Sequence, residues 1–419
     1  MSQDNHPFDD YIIEVCAYCH VITYLFFMTI IELVWIMTTD FGVYIHIPFC
    51  KQKCFYCDFP SFAGREKHID EYLTSLHHEM ELGAKSFGER GKLAPHTIYI
   101  GGGTPSHLNL SQMKMLFESI HANMQVKNVA EFTMEANPCT IDEEKLHLMK
   151  ANGVNRISIG VQSFDDGCLQ RIGRLHKSSM AIEKVRLAQK AGFANLSIDL
   201  MYGLPGQTLD MLKESLDKAM ELGVQHISIY GLQLEEGTVL AKQQEMGRLE
   251  LPDDEAVEKM YDYLVEYLPV HGFSRYEISN YAMDGYYSRH NTLYWEDVPY
   301  LGFGSGAHSY WRGKRYENPV DIGEYIKATA EGKFLYIVEE NVSEKAHMEE
   351  FCFLGLRMTK GINREKFRVK FNKDIHEIFG DAIKEMTDRG FLQENDGALS
   401  LTPIGMKYGN IVFGAFIIE

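Results

Sequence analysis

Tyr44-Ile45-His46-Ile47-Pro48-Phe49-Cys50-Lys51-Gln52-Lys53-Cys54-Phe55-Tyr56-Cys57 sets three thiols in one short loop, spaced C-x₃-C-x₂-C, directly behind a β-prone run. A zinc ribbon takes four ligands from two C-x₂-C knuckles, and a ferredoxin-type cubane takes a fourth thiolate. Three thiolates suit a [4Fe–4S] cluster in which one iron lacks a protein ligand and is open to a small molecule. The alternatives are three unrelated thiols, or a zinc site that borrows a nearby histidine. The motifs that follow along the chain decide between them.

The chain around this loop has 419 residues, enough for one large domain and an appendage. Apolar residues make up 45% and aromatics 12%, so a sizeable core can be buried. A formal net charge of −18 argues against a nucleic-acid partner, which needs basic patches. Eight cysteines in this length, three of them clustered, are no disulfide framework. They fit a metal site in a reducing cytoplasm.

Upstream, residues 21–37 are almost wholly apolar, interrupted by Glu32, and no Lys or Arg precedes Lys51. That run is barely long enough to span a bilayer. It lacks the basic flank of a signal peptide or an anchored helix. Met37 reads as a natural start ahead of the first strand, so residues 1–36 are taken as an over-long extension, the alternative being peripheral membrane association. Cys16-Ala17-Tyr18-Cys19-His20 spells the attachment signature of c-type haem. With no export signal it is not read as one.

Downstream, short β-rich runs alternate with longer amphipathic stretches. The strands are expected at residues 43–47, 97–100, 131–135, 156–161, 196–201 and 225–230. The helices are expected at 70–82, 111–124, 142–152, 180–191 and 209–222. Asp142 supplies an N-cap to the third helix and Gly153 a C-cap. This alternation predicts an α/β fold, a parallel sheet with helical crossovers closed as a partial (β/α)₆ barrel. In such barrels function gathers at the carboxyl ends of the strands. The cysteine loop follows strand one and Gly101-Gly102-Gly103-Thr104-Pro105 follows strand two. Strand three ends at Glu135, strand four at Gln162 in Gly160-Val161-Gln162-Ser163, and strand five carries Asp199. One such position is weak evidence, but a polar or glycine-rich position at the same end of every unit is strong.

The cysteine spacing resembles the radical S-adenosylmethionine (SAM) superfamily, in which the amino and carboxylate groups of SAM take the open iron. If SAM binds here, glycines at 101–103 let the backbone approach its methionine moiety. A branched side chain at Gly102 is then expected to block the ligand and spare the cluster. Glu135 accepts from a ribose hydroxyl, Gln162 donates and accepts, Arg174 offers a planar fork to the carboxylate, and Asp199 adds a contact. From about residue 42 onward the chain resembles, more narrowly, the oxygen-independent coproporphyrinogen III oxidase (HemN-like) family. The carrying residues are Tyr44–Cys50, Gly101–Pro105, Gly160–Ser163 and Asp199-Leu200-Met201-Tyr202-Gly203-Leu204-Pro205. The resemblance implies a [4Fe–4S] cluster on Cys50, Cys54 and Cys57. It implies SAM contacts at Tyr44, Gly102, Gly103, Thr104, Glu135, Gln162, Arg174 and Asp199, with Phe55 and Tyr56 in the cofactor-binding loop.

Two departures matter. The true oxidase has a cysteine two positions after the third cluster cysteine, where this chain has Phe59, and it has a porphyrinogen-binding arm ahead of the first strand. Cys57-Asp58-Phe59 instead resembles the heme-chaperone (HemW) branch. So does Arg289-His290-Asn291-Thr292-Leu293-Tyr294-Trp295, which is similar to that branch's H-N-x-x-Y-W heme signature. On this reading His290 ligates heme iron, Asn291 orients the imidazole, and Tyr294 and Trp295 supply flat apolar surface. The cofactors implied are the cluster, SAM and heme. The partners are heme and an unidentified heme-acceptor protein, with no nucleic acid and a homodimer left open.

Gly302-Phe303-Gly304-Ser305-Gly306-Ala307-His308 spells G-x-G-x-x-A without a second βαβ unit, so nicotinamide binding is rejected. Its glycines are expected to let a loop pack over the barrel mouth, with His308 a secondary heme or structural candidate. The barrel is assigned to residues 37–335. Residues 336–419 read as three helices and a β-hairpin, a winged-helix-like α+β module assigned to packing or partner contact. Replacing Cys54 by Ala is expected to abolish cluster assembly as fully as replacing all three cysteines. Retention of roughly four irons per chain by Cys54→Ala would contradict the assignment.

Overall fold

The computed structural model describes residues 40–333 and 337–418. The apolar N-terminal run and the Cys16–His20 motif therefore lie outside the described residues. All six expected strands form, as β1 (Gly42–Ile47), β2 (Thr97–Gly102), β3 (Glu131–Ala136), β4 (Arg156–Gln162), β5 (Leu196–Tyr202) and β6 (His226–Gly231). They lie side by side in chain order and all run parallel. Helices Ile69–Phe87, Leu110–Asn123, Glu143–Ala151, Ser178–Lys190 and Leu209–Leu222 make the crossovers. Caps mark their starts: Asn109 and Gln112 form a reciprocal capping box, and the Lys145 N–H donates to Asp142 Oδ1 at 2.9 Å.

The sheet extends beyond six strands. Tyr300–Phe303 adds a seventh parallel strand beside β1, followed by antiparallel strands His308–Trp311, Lys314–Glu317 and Ile337–Asn341. At the other edge, Asn280–Ala282 pairs antiparallel with β6. The glycine-rich G-x-G-x-x-A segment is thus a strand and a tight reversal, not a loop across the mouth. A Cβ on Gly302 would meet the His308 carbonyl oxygen at 2.1 Å, so only glycine fits that strand position, where the returning chain passes close by.

Strand alternation divides the barrel by chemistry. One phase, including Val43, Ile45, Ile98, Ile100, Phe132, Met134, Ile157, Ile159, Ile198 and Ile227, is buried in the main apolar core with the helices. The other phase is polar: Thr97, Glu131, Thr133, Arg156, Ser158, Ser197, His226 and Ser228 are all buried as well. The last turns of the chain make a smaller core of their own. There helices Glu344–Gly355, Arg364–Phe371 and Ile375–Asp388 pack with the Leu392–Asn395 and Ala398–Leu401 hairpin around Phe367, Phe379, Leu399 and Phe416. Ile362–Asn363 adds a third strand to that hairpin.

A buried carboxylate ties the first crossover helix to the seventh strand. Glu79 accepts from the Gly304 N–H (2.8 Å), the Tyr325 hydroxyl (2.6 Å) and Asn318 Nδ2 (2.5 Å). Desolvation outweighs these bonds and lifts its pKa from 4.5 to about 7. The folded protein therefore binds this proton more tightly than the unfolded chain. The stability it contributes is complete below pH 4.5 and is lost as pH rises through about 7. Glu79→Gln places an amide NH₂ among three donors, so a loss of about 1–3 kcal/mol is expected. Urea titrations across that pH window should also show a shallower fall in stability for the variant; an unchanged slope would contradict this account.

Candidate functional site

The carboxyl ends of the strands open into one cavity of about 1310 Å³. Its lining includes Cys50, Cys54 and Cys57, then Gly102, Gly103, Thr104, Glu135, Gln162, Arg174 and Asp199, together with Tyr56. The structure thus brings most of the residues singled out in the sequence to one place. Phe55 packs beneath that loop in a small apolar cluster with Cys168, Ile172 and Leu204. Tyr44 stands one layer down inside the barrel, stacked on Tyr99.

The cysteine loop is anchored from several sides. After β1, Phe49–Cys50 pairs with Phe62–Ala63. The Gly103 N–H donates to the Ile47 carbonyl and the Thr104 N–H to the Phe49 carbonyl, both at 2.9 Å. The Thr104 hydroxyl donates to Cys50 Sγ at 3.5 Å. Across the loop, the Phe55 N–H reaches the Ile172 carbonyl and Gln52 Nε2 the Gly173 carbonyl. Arg174 then enters the site. Its Nη1 donates to Cys54 Sγ at 3.3 Å, its Nη2 to the Gly160 carbonyl, and its Nε is buried without a partner. Burial raises the Cys50 and Cys57 thiol pKa values. Metal binding must displace those protons, so cluster assembly becomes easier as pH rises.

Two observations fit a cluster with a small ligand beside it. The orphaned Arg174 Nε is a buried donor lacking an acceptor. Finally, Gly103 lets the glycine-rich turn close on the cysteine loop, since a Cβ there would meet Cys50 Sγ at 3.0 Å and the Phe49 carbonyl at 2.9 Å.

The same geometry corrects the reading of Gly102. Its φ is +113°, and a Cβ would strike the His46 ring at 2.6 Å. His46 is itself locked, with the Tyr44 hydroxyl on Nδ1 at 2.8 Å and the Pro60 carbonyl on Nε2 at 2.9 Å. A branched residue at 102 would therefore disturb the protein's own packing before it met any ligand. The N–H groups of Gly102 and Gly103 are also spent, on Glu135 Oε2 (3.2 Å) and the Ile47 carbonyl.

Glu135 accepts from the Tyr99 hydroxyl at 2.7 Å, and desolvation raises its pKa to about 7 despite that bond. Asp199 is raised by desolvation as well, opposed by hydrogen bonds from Ser228 and Ser158. Gln162 ends β4 with φ +69°, at a register shift between Gly160 and Gln162. A non-glycine residue held in that region is strained and marks a place where the backbone is being re-aimed. Sequence reasoning missed Arg156, the largest of the fully buried side chains, which supplies positive charge beneath Glu135 and Asp199. The available signal was an arginine at the inward phase of an otherwise apolar strand.

The His290 motif lies elsewhere. Helix Arg289–Trp295 sits at the opposite end of the barrel, against the first residues of β1, β2 and β3. Its His290 is 1% exposed. The two ring nitrogens pair with Thr97 Oγ1 (2.8 Å) and the Tyr294 hydroxyl (2.9 Å), and the ring stacks on Tyr99 at 5.1 Å. Glu131 accepts the N–H groups of Arg289 and His290. Burial first, then Arg156, lowers the His290 pKa to about 3, so the ring is neutral. In this arrangement it presents no lone pair to iron. Thr97 and Tyr294 orient it, not Asn291, whose backbone N–H bonds Ser288 Oγ. Trp295 stacks instead under the guanidinium of Arg357, 4.3 Å from the ring centre. His308 is exposed at the start of its strand.

Residues 44–219 match the model of the Radical SAM superfamily, and residues 342–407 match the HemN C-terminal domain. A Bacillus subtilis protein named heme chaperone HemW is 40% identical over 379 residues, covering 90% of this chain and 99% of its own. The Escherichia coli protein of the same name is 33% identical, covering 90% and 98%. The solved structure of Escherichia coli coproporphyrinogen III oxidase (HemN) superimposes with a TM-score of 0.79 over 90% of each chain. At 20% identity that likeness speaks for the fold alone. No helix among the described residues is long and apolar enough to cross a membrane. With a three-cysteine loop, a polar strand-end cavity and relatives matched over nearly their whole length, the chain belongs to the HemW family of radical SAM proteins.

Proposed function

We propose that this chain is a heme chaperone built on a radical SAM scaffold, working in the cytoplasm and passing heme to an acceptor protein. Cys50, Cys54 and Cys57 would hold a [4Fe–4S] cluster, and SAM would lie along Gly102–Thr104, Glu135, Gln162, Arg174 and Asp199. A cluster held there would supply one-electron chemistry beside the sulfonium of SAM. The chain's own residues bind and orient. The Arg174 fork lies between Cys54 and the end of β4, where a ligand carboxylate would meet its unpaired Nε. Glu135, poised near neutrality, accepts a hydroxyl hydrogen in its ionised form.

The observation that carries the second-ligand part of the reading is the extent of the cavity. It runs past the SAM strip to Tyr230, Tyr261, Met406 and Tyr408, which leaves room for a second, flatter ligand. That room equally suits the rival reading, a radical oxidoreductase acting on a porphyrinogen. Phe59 weighs against that rival: it is 59% exposed at the cavity rim, in the position where the oxidase carries a cysteine. Anaerobically reconstituted protein is expected to bind heme stoichiometrically and to leave coproporphyrinogen III unconverted in the presence of SAM and a reductant. Catalytic conversion would overturn the chaperone reading.

His290 enters this reading as a structural knot, since ligating iron through either ring nitrogen would require it to abandon the hydrogen bond made there, worth about 1 kcal/mol. His290→Ala is expected to lower the melting temperature and weaken heme binding together. His290→Gln, which can keep both bonds, should restore stability and heme binding. Normal melting of His290→Gln with loss of the Soret signature would instead establish the imidazole as the iron ligand.

A further inference from the structure

Arg357 stands where the C-terminal module meets the outer part of the cavity, just beyond helix Glu344–Gly355. Its guanidinium carbon lies over the Trp295 ring, 4.3 Å from the centroid, a cation–π contact that holds the fork in place. Glu277 Oε2 stands 3.9 Å from Nη2, outside hydrogen-bond reach. A structural Arg–carboxylate pair closes to about 2.7–2.9 Å and is often bidentate; this one has not closed. Arg357 Nε and Glu277 Oε2 are both buried without a hydrogen-bond partner. Glu277 cannot approach, because its Oε1 is held by the Ser279 N–H (2.7 Å) and Asn280 Nδ2 (2.5 Å). Its backbone is also bridged to Met358. The other basic group at this rim, Lys407, is committed to Glu258 and Asp262.

The arrangement keeps an oriented guanidinium beside a neutralising buried carboxylate without consuming its donors. Around it the outer cavity is lined by Tyr202, Tyr230, Tyr261, Met406, Tyr408 and Ile411, a wall suited to a flat apolar body. We infer that Arg357 is the carboxylate hook of a second ligand compartment, taking a planar apolar molecule that carries carboxylates at its edge. Trp295 then acts as a positioning residue for that hook and not as a direct heme platform. The inference rests on the proposed chaperone function, which makes heme, with its two propionates, the ligand of this class.

The test uses the full chain with its cluster reconstituted anaerobically, titrated with heme and with heme dimethyl ester, whose carboxylates are masked. Wild type should bind heme at least tenfold more tightly than the ester. Arg357→Ala should lose that preference, falling to the ester's affinity for both ligands, with iron content unchanged. Arg357→Lys should recover part of the preference, since the charge remains and the fork does not. Trp295→Leu should reduce the preference without abolishing it. An acid-over-ester preference that survives in Arg357→Ala would overturn the inference. So would an equal loss of both ligands accompanied by a lowered melting temperature, which would make the role structural. Failure of the wild type to bind heme would overturn the chaperone reading itself, a result distinct from either.

Discussion

A single guanidinium bridges the two parts from which the site is built. Arg174 spans from Cys54 Sγ to the carbonyl of Gly160, so the cysteine loop after β1 and the end of β4 are held in one register. The Phe55 N–H and Gln52 side chain fasten the same loop to residues 172 and 173. A three-thiolate loop has no rigidity of its own, and the spacing of its sulfurs has to be imposed from outside. Here it is imposed by hydrogen bonds to a neighbouring strand end and by glycines that admit close backbone approach. The arginine's unpaired Nε is the donor left over once that work is complete.

Below the site the barrel interior is polar, which is costly unless every group finds a partner. Ser197, His226 and Tyr276 form one chain of bonds, and Thr97, His290 and Tyr294 another. Burial first, and then the charge of Arg156 lying among them, depresses both histidines, while Glu131 caps the short helix that delivers His290. The H-N-x-x-Y-W segment is thereby explained by the needs of the barrel floor. Its histidine plugs the bottom of the barrel, its tyrosine completes the histidine's bonding, and its tryptophan carries the stacked arginine of the C-terminal module.

Much of this was legible in the sequence. The six strands and their crossover helices announce themselves through short β-rich runs alternating with amphipathic stretches and through local capping, such as Asp142. The strand-end motifs converge on the cavity because a parallel barrel gathers carboxyl ends, whatever the details of packing. What escaped were relations set by long-range contact. Tyr300–Phe303 is too short to read as a strand and exists because β1 offers an edge. Glu79 looks like one more acidic residue on a helix until Gly304, Asn318 and Tyr325 close around it. His290, beside Tyr and Trp, looks like a ligand in one dimension. Only its partner Thr97, distant in sequence, reveals it as buried and satisfied. Gly102 was read as making room for a ligand, whereas the room is already taken by His46.

The central claim is that three cysteines at the barrel mouth hold a cubane whose fourth iron is open to SAM. The most direct measurement is the EPR spectrum of the reconstituted, reduced protein with and without SAM. A signal from a [4Fe–4S]⁺ cluster that changes shape on adding SAM is the expected result. A spectrum indifferent to SAM in the wild type would contradict the claim.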